Sequence, residues 1–494
     1  MSVLAPPDVP GERFVPLPQR IRANAAARPG AVALVDGDER LTWHDLAARM
    51  DAVAGNLAAA GMRPGDVAAS LAGVTADHVA LYLGVIAAGG AMAPLPLTAH
   101  PDALARMIRN SGAERVFGDD AAPEVPGLVQ MPRGGAPAPE VVHAPDDLFD
   151  VIYSSGTTGD PKGVEHDALF RHRQVERFSG FGFGEASVTL ISTPICSNTT
   201  LVALIPALAL GGTVVLQRRF DEAAWLALAE AHRVTHAMLV PVQIRRLLEH
   251  PAFDRTDLTA FSVKLTTSAP FPAPLARAAL DRWPGRMISI YGMTEGGVSA
   301  VLDCGAHPDK LRTVGRAAAH AEIRIVGEDG RAVRAGEAGE VMGRAPATMR
   351  GYRGAPEATA RVLWISPEGS PFLRTGDMGR LDDEGFLTLL DRRKDMIVSG
   401  GFNVYAADVE EVLMTHPAVS DAAVFGVPSE RWGEAPAACI VLRAGASEEE
   451  VLAWANARLG RTQRLSALRA VPALPRSEVG KVLKRQLREE WADV

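Results

Sequence analysis

The run Ser154-Ser155-Gly156-Thr157-Thr158-Gly159-Asp160-Pro161-Lys162-Gly163-Val164 alternates hydroxyls, glycines and one lysine just after the apolar pair Val151-Ile152. Residues of these types make a cradle for phosphate. Glycines let the backbone turn sharply and aim N–H groups at anionic oxygens, Ser and Thr hydroxyls add donors, and Lys162 brings positive charge. The spacing is not that of a Walker loop, which needs Gly, four residues and then Gly-Lys-Ser/Thr; here Gly156 and Gly159 are three apart and Lys162 precedes Gly163. An ordinary polar surface turn has the same composition, so the stretch gains meaning from what accompanies it.

Four further stretches do so, in order along the chain: Tyr291-Gly292-Met293-Thr294-Glu295; Arg374-Thr375-Gly376-Asp377; Asp391-Arg392-Arg393-Lys394-Asp395, continuing to Ser399-Gly400-Gly401-Phe402-Asn403-Val404; and Pro475-Arg476-Ser477-Glu478-Val479-Gly480-Lys481. Each has a bland reading alone. The tyrosine-led string is a turn, Asp377 caps a helix, and Lys481, followed by Val482-Leu483-Lys484-Arg485, lies on a solvated basic helix face. Together with the cradle, the five resemble the ordered motifs of the adenylate-forming superfamily of acyl- and aryl-CoA ligases, luciferases and peptide-synthetase adenylation domains, and most resemble the aryl- or acyl-CoA ligases.

The resemblance implies an ATP-dependent ligase with Mg²⁺ and, as acceptor, CoA. A carboxylate is a poor electrophile; joining it to AMP supplies a leaving group, and in-line attack on the α-phosphate asks the protein for positioning and charge stabilisation. Carried over residue by residue, Ser154, Ser155, Gly156, Thr157, Thr158, Gly159 and Lys162 would hold the β- and γ-phosphates, and Tyr291 and Gly292 the adenine beside Ser268-Ala269-Pro270. Thr294 would bond the α-phosphate, and Glu295 would be the Mg²⁺ ligand. Asp377 suits the two ribose hydroxyls, with Arg392 donating to the same sugar. Lys481 would carry the chemistry, its ammonium placed between carboxylate and α-phosphate. Lys394 matches the hinge on which the family's C-terminal domain turns between half-reactions.

The family's acyl pocket maps to Ser197, Asn198, Leu201, Val240, Val242, Thr266, Gly292, Gly297 and Val298. No acid stands among them, which disfavours an amino-acid substrate, because a buried ammonium needs a partner. An aryl, arylpropenoic or medium-chain acid is expected. Two departures bear on the reading. Ile195-Cys196-Ser197-Asn198 replaces the aromatic-His pair of many CoA ligases, giving a roomier pocket mouth, and Thr462-Gln463-Arg464-Leu465 replaces a Lys-x-Pro. Gly400, Gly401 and Asn403 would border the acceptor tunnel; Trp432 resembles a residue packed on the CoA adenine, with ordinary core packing as its alternative. Arg461 and Arg464 suit the CoA phosphates. Transfer to an amine, giving an amide without CoA, is the second reading, and a non-catalytic binding protein the third.

Such a site needs a large scaffold. At 494 residues the chain is too long for one core. Alternating strand-like and helix-like runs predict an α/β fold with a large N-terminal domain of layered sheets and helices, 1–390, and a small α+β domain, 391–494, which the resemblance implies is a mobile lid with its hinge at 391–395. Thr42 with Asp45 three residues on predicts a helix start, Leu201 to Leu210 a buried core segment, and Met131 to Pro145 a loop. Strands are expected at Ala422 to Val427 and Ala437 to Leu442, a helix at Glu448 to Leu459, and a solvated turn at Asp382-Asp383-Glu384. The net charge of −8 implies no broad attraction to nucleic acid or to an anionic membrane. Cys196, Cys304 and Cys439 form no Cys-x-x-Cys pair, and no segment reads as a signal peptide or membrane span, so a cytoplasmic enzyme, monomeric or homodimeric, is expected.

Overall fold

The computed structural model describes residues 6–492 apart from 124, 126, 133–134, 138–139, 155–161, 394, 400–401, 430–431, 444, 478–479 and 481. Two compact units emerge, one of residues 1–322 and 343–373, the other of 323–342 and 374–494. The break expected at 390/391 falls inside the second unit, within its strand Leu387–Arg392.

Two sheets organise the first unit. The larger has nine strands, and its centre is parallel: Arg286–Gly292, Val263–Thr266, His236–Leu239, Val188–Ile191, Thr213–Leu216 and Val32–Asp36 lie side by side in that order. Short β-branched runs such as Thr213-Val214-Val215-Leu216 suit such strands, which are covered on both faces. The second sheet has seven strands, including Val67–Leu71, Ala91–Pro94, Leu148–Ser154 and Lys162–Asp167, the last two antiparallel.

One hydrophobic cluster runs from Ala33, Leu34 and Val214 of the first sheet to Ala68, Met92 and Phe117 of the second. The helices Trp43–Ala59, Ala76–Ala87 and Asn198–Ala209 supply its middle. A helix packed on all sides must be apolar all round, and Ala76–Ala87 is buried at every position. Asn198–Ala209 is buried everywhere except at its first residue, which makes the expected Leu201 to Leu210 core segment a helix with Pro206 inside it. Thr42 caps Trp43–Ala59 as expected: its hydroxyl accepts from the Asp45 N–H at 3.2 Å, and the Asp45 carboxylate accepts from the Thr42 N–H at 3.0 Å.

The second unit is α+β. Its hairpin Val419–Ser429 and Gly433–Leu442 extends both expected strands, and Phe402–Val404, Ile397–Ser399 and Ala467–Ala470 complete that sheet. The helix expected at Glu448 to Leu459 runs Glu448–Asn456, with Ser447 and Glu450 forming a capping box. Asp382 turns the chain as expected, its Oδ1 accepting from the Glu384 and Phe386 N–H groups, while Asp383 and Glu384 are exposed. The cysteines form no disulfide. Among the described residues no helix is long and apolar enough to cross a membrane.

Candidate active site

The C-terminal ends of four adjacent parallel strands gather most of the first unit's candidate residues. After Val188–Ile191 the chain reaches Ser197, which caps Asn198–Ala209. After His236–Leu239 come Val240 and Val242, at the start of helix Pro241–Glu249, and Val263–Thr266 leads into Ser268-Ala269-Pro270. Arg286–Gly292 contains Tyr291 and Gly292 and leads into Thr294 and Glu295. Loops beyond the carboxyl ends of parallel strands are where open α/β sheets bind ligands. Separate loops meet there: Thr199 Oγ1 and Ser268 Oγ are 2.5 Å apart, and Ser268 takes a left-handed φ of 76°. Leu201, Val240, Thr266 and Val298 are buried, while Asn198 and Val242 are half-buried. The Thr266 hydroxyl is buried with no hydrogen-bond partner among the described residues, a donor left over by the fold.

Glu295 is 9% exposed and held from three directions. Its carbonyl accepts from the Met349 N–H at 2.8 Å, and its Oε1 accepts from the Tyr352 hydroxyl at 2.7 Å. The carbonyl of the preceding Thr294 meets His166 Nε2 at 2.7 Å. Gly296 and Gly297 let the chain turn here, with φ of 65° and 69°; a Cβ would run into the Ala347 carbonyl at the first and into Leu373 at the second. Burial, and then the Glu295 charge, raise the Tyr352 phenol far above its ordinary pKa, so it remains a donor to the carboxylate. Lys162 Nζ stands 5.0 Å from the centre of the same ring. Tyr352 thus joins Lys162, expected in the phosphate cradle, to the carboxylate expected to hold Mg²⁺. Sequence reasoning missed it, because Gly351-Tyr352 pairs with Glu165 and Val164 only through the sheet.

Magnesium suits this carboxylate. The ion is usually held by one or two carboxylates together with substrate phosphates. Among the described residues, no group of three or more His, Cys, Asp or Glu side chains could hold a metal by itself, and Tyr352 engages one Glu295 oxygen only. Tyr352→Phe should therefore raise the Mg²⁺ concentration for half-maximal ATP binding about tenfold, in line with losses of partners around metal ligands. Calorimetric titration of the nucleotide at several Mg²⁺ concentrations checks it.

Strand Pro371–Leu381, which belongs to the second unit from Arg374 on, and strand Leu387–Arg392 set Asp377 directly opposite Arg392, with Arg392 Nε 3.3 Å from Asp377 Oδ1. Asp377 caps no helix, contrary to its bland reading. The Thr375 hydroxyl accepts from the Asp377 N–H at 3.0 Å and donates to the Val341 carbonyl at 2.9 Å, which fixes the turn through Gly376. Asn403 pairs with Val398, and Trp432 sits half-buried at the tip of the long hairpin. Lys484 is not on a solvated basic face: its Nζ lies 2.8 Å from Glu410 Oε1, and it begins the helix Lys484–Ala492. Ser155, Gly156, Thr157, Thr158, Gly159, Lys394, Gly400, Gly401 and Lys481 lie outside the described residues, as does the side chain of Ser154.

The model of the AMP-binding enzyme family matches residues 21–353, and that of the family's C-terminal domain matches 408–481. The chain belongs to the AMP-binding enzymes. A feruloyl-CoA synthase from an Amycolatopsis species is 32% identical over 487 residues, covering 94% of this chain and 97% of that relative. Among solved structures, the amide bond synthetase McbA from Marinactinospora thermotolerans superposes with a TM-score of 0.86 at 30% identity, over 96% of this chain and 100% of that one. The o-succinylbenzoate coenzyme A synthetase of Bacillus subtilis, in complex with ATP and magnesium ion, gives 0.84 at 29% identity, over 95% and 98%.

Proposed function

We propose that this AMP-binding enzyme adenylates a carboxylic acid with release of pyrophosphate and passes the acyl group to CoA. The observation that carries the reading is the gathering of Ser197, Val240, Ser268 and the Thr294–Glu295 turn beyond the carboxyl ends of adjacent parallel strands, with Glu295 oriented by Tyr352. The acid would lie among Ser197, Asn198, Leu201, Val240, Val242, Thr266, Gly297 and Val298. These positions are apolar with a few hydroxyl and amide groups, which suits an aryl, arylpropenoic or medium-chain acid.

Lys162 and the cradle residues hold the outer phosphates, Tyr291, Gly292 and Ser268-Ala269-Pro270 the adenine, and Asp377 with Arg392 the ribose. Glu295 would hold Mg²⁺, which when bound would supply charge neutralisation for the departing pyrophosphate. Thr294 donates to the α-phosphate, and Lys481 brings its ammonium to the oxygens where charge concentrates. The region from 391 then acts as a mobile lid with its hinge at Lys394, withdrawing Lys481 and presenting Gly400, Gly401, Asn403 and Trp432 to the thiol. We place the enzyme in the cytoplasm, as a monomer or homodimer.

Transfer to an amine is the second reading, supported by the likeness to McbA along the whole of that chain. Pyrophosphate release from ATP, Mg²⁺ and a panel of aromatic and aliphatic acids tests the first half-reaction. The mass of the product with CoA and an amine supplied together decides the acceptor. No pyrophosphate with any acid would refute the assignment.

A further inference from the structure

Behind the Thr294–Glu295 turn lies a charged cluster that the adenylation chemistry does not use. Asp150, His166 and Arg171 are all essentially inaccessible to solvent. Asp150 Oδ1 lies 2.6 Å from His166 Nδ1, and its Oδ2 accepts from Arg171 Nε at 2.8 Å and from the Tyr82 hydroxyl at 2.6 Å. The other nitrogen of His166, Nε2, reaches the Thr294 carbonyl. Phe170 stacks on the imidazole with ring centres 3.9 Å apart and planes 12° from parallel, fixing its tilt. Each ring nitrogen thus faces an oxygen. One oxygen belongs to an immobile carboxylate, and the other to the peptide that carries Glu295.

A buried charged cluster is costly and is weak evidence for stability, so its use has to be sought in what it orients. Three donors fix Asp150, Asp150 and Phe170 fix His166, and His166 fixes one peptide oxygen. We propose that His166, held by Asp150, is a positioning residue that sets the Thr294–Glu295 turn so that the Glu295 carboxylate is aimed for Mg²⁺. The inference rests on the proposed function in taking Glu295 as the metal ligand. It goes beyond that reading in assigning a task to His166 and Asp150.

The test compares His166→Phe, which keeps the stacking and loses the contacts to both oxygens and the 3.2 Å contact with Arg171 Nη2, with His166→Gln, whose amide reaches one of the two oxygens. Folding of each is checked by circular dichroism. Two quantities are read: the Mg²⁺ concentration for half-maximal ATP binding by calorimetry, and KM for the acid in the pyrophosphate assay. His166→Phe should raise the first about tenfold and His166→Gln about threefold, with KM for the acid less than doubled, as losses around a metal ligand act on the metal. Should the phenylalanine variant fail to fold, the threefold shift in the glutamine variant decides. Unchanged Mg²⁺ dependence in the folded variants overturns the proposal, as does an equal rise in both quantities, which marks a merely structural role. Wild-type protein that binds no ATP in the presence of Mg²⁺ would instead sink the proposed function.

Discussion

Lys481→Ala should lower acid-dependent pyrophosphate release about a hundred- to a thousandfold while leaving acyl transfer from a pre-made acyl-adenylate within about threefold of wild type. The magnitude is that of removing one preorganised donor from a site where charge develops. The asymmetry follows from electrostatics. When the carboxylate attacks the α-phosphate, two anionic groups converge, and a cation between them stabilises the transition state more than the separated reactants. In the second step a neutral thiol or amine attacks a carbonyl already carrying AMP as its leaving group, so the same cation has little to stabilise. The proposed withdrawal of Lys481 between the steps would make the separation sharper. Rapid-quench measurement of the two half-reactions, with synthetic adenylate supplied for the second, checks both numbers. Equal losses in both would mean that the lysine stays at the reacting centre throughout.

What the sequence made legible and what it concealed divide along a physical line. The tyrosine-led string, the Thr-Gly-Asp string and the glycine-rich cradle are each a few consecutive residues, so their order along the chain makes the family resemblance legible although each alone has a bland reading. The capping of Trp43–Ala59 was legible for the same reason, since Thr42 and Asp45 satisfy each other within one turn. Tyr352 and Glu295 stand 57 residues apart, and His166 meets the Thr294 carbonyl across 128. Only sheet pairing brings such partners together, and no single-sequence periodicity encodes it. One signal was present. Asp150 interrupts the apolar run Leu148-Phe149-Asp150-Val151-Ile152, and a charge in the middle of a buried strand demands partners. The pairing of Lys484 with Glu410 was hidden for the same reason, since the bland alternative for Lys481 placed its neighbours on a solvated basic face and the partner lies far back along the chain.

Arg171→Met should be the most destabilising of the single substitutions considered, by about 3–5 kcal/mol at neutral pH, because it leaves Asp150 buried without its guanidinium. Burial by itself pushes the Asp150 carboxyl up; Arg171 and then His166 pull it back below the ordinary value. A carboxyl depressed in the folded state contributes stability above its unfolded pKa and loses it as pH falls through the folded value. Without the guanidinium, burial, the largest cause acting on Asp150, should outweigh the remaining pull of His166 and Tyr82, and the variant should then recover stability as pH falls. Urea unfolding at pH 7 and pH 5 should show a smaller gap between variant and wild type at the lower pH. The double variant Asp150→Asn with Arg171→Met should regain at least about 1 kcal/mol over the single one, since no unpaired charge remains while the lost side-chain volume is unchanged. A double variant no more stable than Arg171→Met would assign the loss to packing, and to the freed Gln174 and Asn198 oxygens that Arg171 Nη1 now reaches at 2.8 Å each, rather than to the charge on Asp150.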